Sequence, residues 1–275
     1  MSKPTAARTL AMATIVLMSI LSAAGGALAQ ASPFSQSEKS RARLLGAGGL
    51  DGVRYLAGVE IRLAPKSLTY WKLPGDAGIS PTFSFEGSKN LASATPLFPP
   101  PRRYPEAGGE AFGYMDEVVF PLLVTPVDPA RPVTLALKLD YATCEQICIP
   151  ARAELRLDLT PAAGQSAEAA LLRSWLARTP HPAGDPAAPQ AVMTKGSDPN
   201  LWTIRFTGEA PTDLFAEGPQ DWFFDTKRVG EGFDLVLAQK PAEPASGPVE
   251  VTLTLVYPSK AFEIRTTLDA GLAKP

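Results

Sequence analysis

The chain has 275 residues, of which 45% are hydrophobic and 20% are charged, and its formal net charge is −2 at pH 7. No run of basic residues is longer than the pair Arg102–Arg103. Phosphate binding needs a concentrated positive field, so this composition excludes nucleic-acid binding as the function.

The first 29 residues have the pattern of an export signal. Lys3 and Arg8 precede the apolar stretch 10–21, and small residues follow up to a predicted cleavage site before Gln30. The apolar stretch is shorter than the roughly 20 residues that a membrane-spanning helix needs. We therefore expect a periplasmic mature protein that is not membrane-embedded, with a retained signal anchor as the alternative.

Alternation of apolar and polar residues dominates the rest of the chain. In 53–63 the apolar residues fall on odd positions, which is typical of a strand with one buried face. The same alternation recurs in the stretches 83–85, 118–124, 133–141, 155–159, 202–206, 249–257 and 262–268. Short strands separated by turns, in a chain with 28 prolines, predict an all-β protein built from β-sandwiches.

A change in composition divides the predicted sandwiches. Between residues 160 and 200 the sequence is rich in Ala, Pro, Gly and Ser, except at 167–178, where the apolar spacing predicts a short amphipathic helix. The predicted division is a signal peptide at 1–29, a linker at 30–50, a first sandwich at 51–160, a linker with a short helix at 161–199, and a second, smaller sandwich at 200–275.

The chain contains two cysteines, Cys144 and Cys148, both in the first predicted sandwich. A structural disulfide is the default in an exported protein. However, a bridge between these two closes a very small loop and restrains little of the unfolded chain. Four steps of extended strand cover about 13 Å, whereas bridged Cα atoms are about 4.4–6.8 Å apart, so the segment must turn. A reachable turn favours an exchange site over a structural bridge.

Other chemistries have weaker support in the sequence. The two thiols and His181, the chain's one histidine, give at most three metal ligands, and His181 lies in a Pro- and Gly-rich stretch. No base is placed for Cys-His catalysis. Asp116 and Glu117 are adjacent on a predicted strand and point to opposite faces, so they do not form an acid/base pair. We predict neither a metal site nor an organic cofactor.

Four ordered segments suggest a family. The segment 141–150, Tyr-Ala-Thr-Cys-Glu-Gln-Ile-Cys-Ile-Pro, resembles the active-site segment of the N-terminal periplasmic domain of DsbD-type protein-disulfide reductases. It is similar in particular to the related ScsB group, in which three residues separate the cysteines. Residues 70–78, 81–83 and 113–118 also match in the same order, and the similarity covers about 52–159.

The resemblance implies an immunoglobulin-like domain that passes electrons from a membrane reductase to oxidised periplasmic proteins. Its partners would be thioredoxin-like or disulfide-isomerase-like proteins, including those of cytochrome c biogenesis. In the family the second cysteine attacks and the first resolves, which assigns attack to Cys148 and resolution to Cys144. DsbD-type reductases continue into membrane and thioredoxin-like domains that this sequence does not show, so we expect a separate electron donor.

Family members also carry a loop that caps the cysteines, and its counterpart here is the stretch 102–112 around Gly108 and Gly109. An ordinary hairpin loop is the alternative reading of this stretch. The candidate cap or pocket residues are Tyr70, Trp71, Tyr104, Phe112 and Tyr114.

A second function remains open on the sequence alone. Two immunoglobulin-like domains could form a non-catalytic periplasmic binding or assembly module, in which the disulfide fixes a loop. The two functions differ in one testable respect. The redox protein exchanges its disulfide with a partner, and the binding module does not.

Overall fold

The computed structural model describes residues 30–76, 78–106, 109–161, 163–240 and 247–269. The predicted export signal at 1–29 lies outside the described residues. Within the described ranges the chain consists of β-strands and a single short α-helix, which confirms the all-β sandwich prediction. No helix in these ranges is long and apolar enough to cross a membrane.

The first sandwich consists of two sheets formed by eleven strands. The strands are β1 (Ser35–Gln36), β2 (Ser40–Gly46), β3 (Tyr55–Leu63), β4 (Leu68–Gly75), β5 (Thr82–Ser84), β6 (Leu91–Pro96), β7 (Arg102–Glu106), β8 (Gly109–Met115), β9 (Glu117–Pro126), β10 (Val133–Cys144) and β11 (Cys148–Leu159). One sheet has the order β1-β2-β3-β9-β6. The other has the order β11-β10-β4-β8-β7, and β5 also pairs with β10.

The alternating pattern of the sequence accounts for the core between these sheets. The odd-numbered residues of β3, from Tyr55 to Ile61, are fully buried, and those of β10, from Leu135 to Tyr141, are nearly so. Both sets belong to one hydrophobic cluster, because the inner faces of the two sheets pack against each other. Burial of each large apolar side chain contributes about 1.5–3 kcal/mol.

The segment 30–50, predicted to be a linker, contains strands in the structure. Its residues include β2, which pairs with β3 from Ser40 to Gly46 and buries Ala42 and Leu44 completely. The segment is therefore part of the first sandwich. Arg41 and Arg43 alternate with these buried residues, as expected for a strand with one buried face. The alternation is weak in the sequence because one of the two buried residues is an alanine.

The predicted short helix is α1 (Ala169–Leu176), and it packs on the first sandwich rather than lying free between domains. Leu172 and Trp175 are buried in the core cluster of that sandwich. Gly58 of β3 makes this close approach possible, since a Cβ at this position would overlap the Cδ2 of Leu172.

The second sandwich is smaller and begins before the predicted boundary at 200. Its strands are β12 (Ala191–Lys195), β13 (Leu201–Phe206), β14 (Asp213–Glu217), β15 (Phe223–Val229), β16 (Gly232–Gln239), β17 (Val249–Val256) and β18 (Ala261–Leu268). They form one sheet of order β12-β13-β16-β15 and another of order β14-β17-β18. Trp202, Phe233 and Leu253 lie in its core.

Candidate functional site

The two cysteines lie at the end of the β10–β11 hairpin. Cys144 is the last residue of β10 and Cys148 is the first of β11, and the two are partners in the strand register. They are joined by a disulfide, with their Cα atoms 4.1 Å apart. The three residues between them, from Glu145 to Ile147, form the connection, so the segment turns as a tight hairpin.

The disulfide is on the outer face of its sheet. Tyr141 points into the main core, and because residues alternate along a strand, Ala142 and Cys144 point to the opposite side. There Cys144 is paired with Leu68 of β4. A small apolar cluster, separate from the main core, surrounds it and consists of Leu68, Tyr70, Ala111, Ala142 and Cys144.

The two sulfur-bearing residues differ in exposure. Cys144 is only 3% exposed, whereas Cys148 is an exposed residue. The neighbouring Ile147 is 77% exposed, the largest value among the exposed large hydrophobic residues of the described ranges. Cys148 and the apolar Ile147 are therefore accessible at the surface, whereas Cys144 is shielded.

Tyr70 connects both sulfurs to a carboxylate. Its fully buried side chain places the hydroxyl 2.7 Å from the Sγ of Cys144 and 3.2 Å from the Sγ of Cys148. The same hydroxyl lies 3.2 and 3.3 Å from the two carboxylate oxygens of Glu106. A phenol has one proton to donate and disulfide sulfurs are weak acceptors, so Glu106 is the stronger acceptor while the disulfide is intact.

The protonation of Tyr70 follows from these surroundings. Burial, and then the negative charge and hydrogen bond of Glu106, raise the pKa of Tyr70 far above its usual range. The hydroxyl consequently remains a proton donor at every pH at which cysteine thiolates form. A donor held against two sulfurs can stabilise a thiolate when the disulfide is reduced.

The structure places the five candidate aromatic residues on two faces of the sheet. Tyr70 and Tyr104 lie on the face of the disulfide, and Tyr104 packs against the small cluster. Trp71, Phe112 and Tyr114 lie on the other face. There Trp71 and Phe112 pack against Phe215 of the second sandwich, at ring-centroid distances of 5.4 and 5.0 Å.

Tyr114 belongs to the main core and does not contact the cysteines. Its hydroxyl donates a hydrogen bond to the carbonyl of Pro99 at 2.6 Å, and its ring packs edge-on against Phe120. Burial raises the pKa of Tyr114 well above the usual range.

The stretch in which a cap was expected forms the β7–β8 hairpin. Glu106 is paired with Gly109 at its tip, and Gly108 lies outside the described residues. This hairpin brings Glu106 to Tyr70. Sequence reasoning missed Glu106, because only the register of β4, β8 and β7 shows that a residue 36 positions away reaches the Tyr70 hydroxyl.

His181 lies apart from this arrangement, beside β18 of the second sandwich. The His181 ring stacks on Phe262 of the second sandwich, and its Nδ1 lies 2.9 Å from Asp185. Within the described ranges, no group of three or more His, Cys, Asp or Glu residues is placed to hold a metal ion.

Known proteins resemble the first sandwich in sequence and most of this chain in fold. A family model for "Thiol:disulfide interchange protein DsbD, N-terminal" matches residues 52–160. The crystal structure of the N-terminal periplasmic domain of ScsB from Proteus mirabilis is similar, with a TM-score of 0.64 and 18% identity, over 88% of this chain and 100% of that chain. No curated protein sequence matches.

The first sandwich thus resembles the N-terminal domain of thiol:disulfide interchange proteins in sequence and in fold. Residues 52–160 form an N-terminal domain of the DsbD and ScsB type, which confirms the resemblance noted in the sequence. The structural match covers 88% of this chain, which is more than the first sandwich alone. The similarity in fold to the ScsB domain therefore includes the second sandwich.

Proposed function

We propose that this protein exchanges disulfides with partner proteins in the periplasm through Cys144 and Cys148. Cys148 attacks and Cys144 resolves. The observation that carries the proposal is the unequal exposure of two bonded cysteines at a hairpin end, 3% for Cys144 against an exposed Cys148. A structural bridge has no need for one open sulfur.

The exchange proceeds by two displacements. The Cys148 thiolate attacks one sulfur of a partner disulfide, forms a mixed disulfide and releases the other partner sulfur as a thiolate, which takes up a proton. The Cys144 thiolate then attacks the Cys148 sulfur and releases the partner's second thiolate. Two electrons pass to the partner, whose disulfide becomes a dithiol, and the Cys144–Cys148 disulfide is formed again.

Tyr70 supports the thiolates in this scheme. Its hydroxyl is close enough to donate a hydrogen bond to either sulfur. A hydrogen bond to the charged form favours that form, so the Tyr70 hydroxyl lowers the pKa of the cysteine to which it donates. The Glu106 carboxylate competes for the same proton and opposes a nearby negative charge.

The pair needs a separate source of electrons. A dithiol on a membrane reductase would reduce the Cys144–Cys148 disulfide by the same two displacements in reverse, becoming oxidised itself. Thioredoxin-like or disulfide-isomerase-like proteins are the expected acceptors, as in the family, and the periplasmic location of the ScsB domain supports a periplasmic setting.

Redox equilibration with thioredoxin tests the proposal. The oxidised protein is mixed with reduced and oxidised thioredoxin in varied ratio, and the free thiols are counted after alkylation and mass analysis. We expect reversible exchange, since the potential of thioredoxin is about −270 mV. A disulfide whose reduction potential lies below about −300 mV behaves as a structural bridge. That result would favour the non-catalytic binding module as the function.

A further inference from the structure

Arg103 connects the β7–β8 hairpin to the second sandwich. Arg103 of β7 points its guanidinium at the second sandwich, where its Nε donates to both carboxylate oxygens of Asp213 at 3.0 and 3.1 Å. Its NH2 group donates to the Leu214 carbonyl at 2.9 Å and to the Thr226 hydroxyl at 2.7 Å. Two strands of the second sandwich, β14 and β15, therefore converge on one side chain.

Aromatic rings complete this contact. The guanidinium of Arg103 lies 4.9 Å from the ring centroid of Phe112 on β8 and 4.8 Å from that of Phe215 on β14. Phe215 is 1% exposed and belongs to the core cluster of the first sandwich, although its strand belongs to the second. The Arg103 clamp, defined as Arg103 with Asp213, Phe112 and Phe215, is thus a packed and hydrogen-bonded interface.

The clamp and the redox site use opposite faces of the same strand. Adjacent residues of a strand point to opposite sides, so Arg103 faces the second sandwich while Tyr104 faces the disulfide. Glu106, two residues further, lies on the Tyr104 side and reaches the Tyr70 hydroxyl. Fixing Arg103 therefore fixes Tyr104, which packs against the cluster around Cys144, and Glu106, which contacts Tyr70.

The hairpin depends on this contact because β7 is an edge strand. It pairs with β8 alone, so the ladder gives it support on one side only. Segments with few partners are the ones that open first in a folded protein. Loss of the clamp would leave this end of the hairpin held to β4 mainly by the hydrogen bonds between Asp76 and Glu110, so Glu106 would leave Tyr70 more often.

We propose that the second sandwich is a positioning element for the redox site, and that Arg103 is the positioning residue through which it acts. Held by the clamp, the hairpin keeps Tyr104 against the cluster around Cys144 and Glu106 at the Tyr70 hydroxyl, and it limits attack from the Cys144 side of the disulfide. The inference rests on the proposed exchange function for its biological meaning, but access to the sulfurs is measurable without any partner protein.

Two variants test the clamp from its two sides. Arg103→Met keeps the apolar stem and removes every donor, and Asp213→Asn weakens the contact from the second sandwich. The readouts are the rate at which dithiothreitol reduces the disulfide and the pH midpoint of iodoacetamide labelling of Cys148 in the reduced protein. Circular dichroism and thermal unfolding establish that each variant is folded.

We expect both variants to be reduced about fivefold faster or more, because the hairpin opens more often. The labelling midpoint should fall by about half a pH unit or more, because the Glu106 charge moves away from the thiolate. Lys72→Met is the matched control. It removes other ion pairs between the sandwiches, to Glu217 at 2.5 Å and Glu263 at 3.1 Å, but lies on β4 outside the hairpin.

The inference is overturned if both clamp variants keep the wild-type rate and midpoint, or if Lys72→Met changes them equally. Should Arg103→Met fail to fold, Asp213→Asn decides alone. A shifted reduction rate without any exchange with thioredoxin would leave the positioning role intact and remove the proposed function. The reverse result, normal exchange with unchanged rates in the variants, would remove the positioning role.

Discussion

The Tyr70 hydroxyl lies 2.7 Å from the Sγ of Cys144, the less exposed member of the disulfide. Both residues are on the outer face of the sheet, where strand β4 runs beside β10. A buried thiolate is costly unless a donor compensates it. Tyr70 supplies that donor, so a Cys144 thiolate in the reduced protein has a hydrogen-bond donor beside it.

Replacing Tyr70 by phenylalanine removes this donor and keeps the ring. We expect the thiolate pKa of the reduced pair to rise by about one unit, since a hydrogen bond to a charged group contributes about 1.5–3 kcal/mol. The measurement is the pH dependence of iodoacetamide labelling, with labelled peptides identified by mass spectrometry. Exchange with thioredoxin at neutral pH should slow in parallel.

The control for this experiment is Tyr141→Phe. Tyr141 is similarly buried, but its hydroxyl is hydrogen-bonded to Ser40 at 2.8 Å on the other face of the sheet. The labelling profile of this variant should match the wild type. Equal profiles for Tyr70→Phe and wild type would show that the Tyr70 hydroxyl does not support the thiolates.

Glu106→Gln should have the opposite effect. The Glu106 carboxylate opposes a nearby thiolate and competes for the Tyr70 proton, so its neutralisation lowers the thiolate pKa. We expect the labelling midpoint to move to lower pH by about half a unit or more. Glu154→Gln, an exposed position on β11, serves as the control and should leave the midpoint in place. An upward shift in Glu106→Gln would contradict the account.

Strand alternation, which predicted the fold, also limits what the sequence could show of the site. Tyr70 and Trp71 were both candidates for the pocket, but neighbours on a strand point to opposite faces, so at most one could reach the sulfurs. The sequence contained that constraint. It did not contain the pairing of Cys144 with Leu68 of β4, which places Tyr70, and not Trp71, on the face of the disulfide.

Residues that act across domains could not be predicted from their own surroundings. Arg103 was noted only as half of a basic pair, and its role depends on Asp213, which is 110 positions away. Glu106 likewise acts through the register of three strands. By contrast, local features could be predicted from the sequence. The turn at the cysteines follows because four extended residues span more than the Cα separation of a disulfide, and the short helix follows from its apolar spacing.

Gly58→Ala tests the packing of α1 on the first sandwich. A Cβ there would overlap the Cδ2 of Leu172 and approach Val119 Cγ1 to 3.1 Å, so we expect the free energy of unfolding to fall by about 1–3 kcal/mol. Chemical denaturation measures it. Gly164→Ala has no atom near its added Cβ and should change stability by less than about 0.5 kcal/mol. Equal stability of the two variants would show that the helix does not pack closely here.

Ile147→Ser tests whether the exposed apolar side chain beside Cys148 contacts the partner. We expect exchange with oxidised thioredoxin to slow by about tenfold, which corresponds to losing part of one buried side chain. Reduction by dithiothreitol should not change. Val127→Ser is the matched control, because Val127 is 69% exposed but lies after β9, away from the cysteines. If both variants exchange at the wild-type rate, the partner does not use Ile147.

Trapping a mixed disulfide tests most directly whether Cys148 attacks and Cys144 resolves. Reduced Cys144→Ala and Cys148→Ala proteins are each mixed with an oxidised thioredoxin-like protein, and the products are separated without reductant. We predict that Cys144→Ala accumulates a stable mixed disulfide through Cys148, and that Cys148→Ala forms little, since Cys144 is 3% exposed. Equal trapping by both variants, or none by either, would contradict the account.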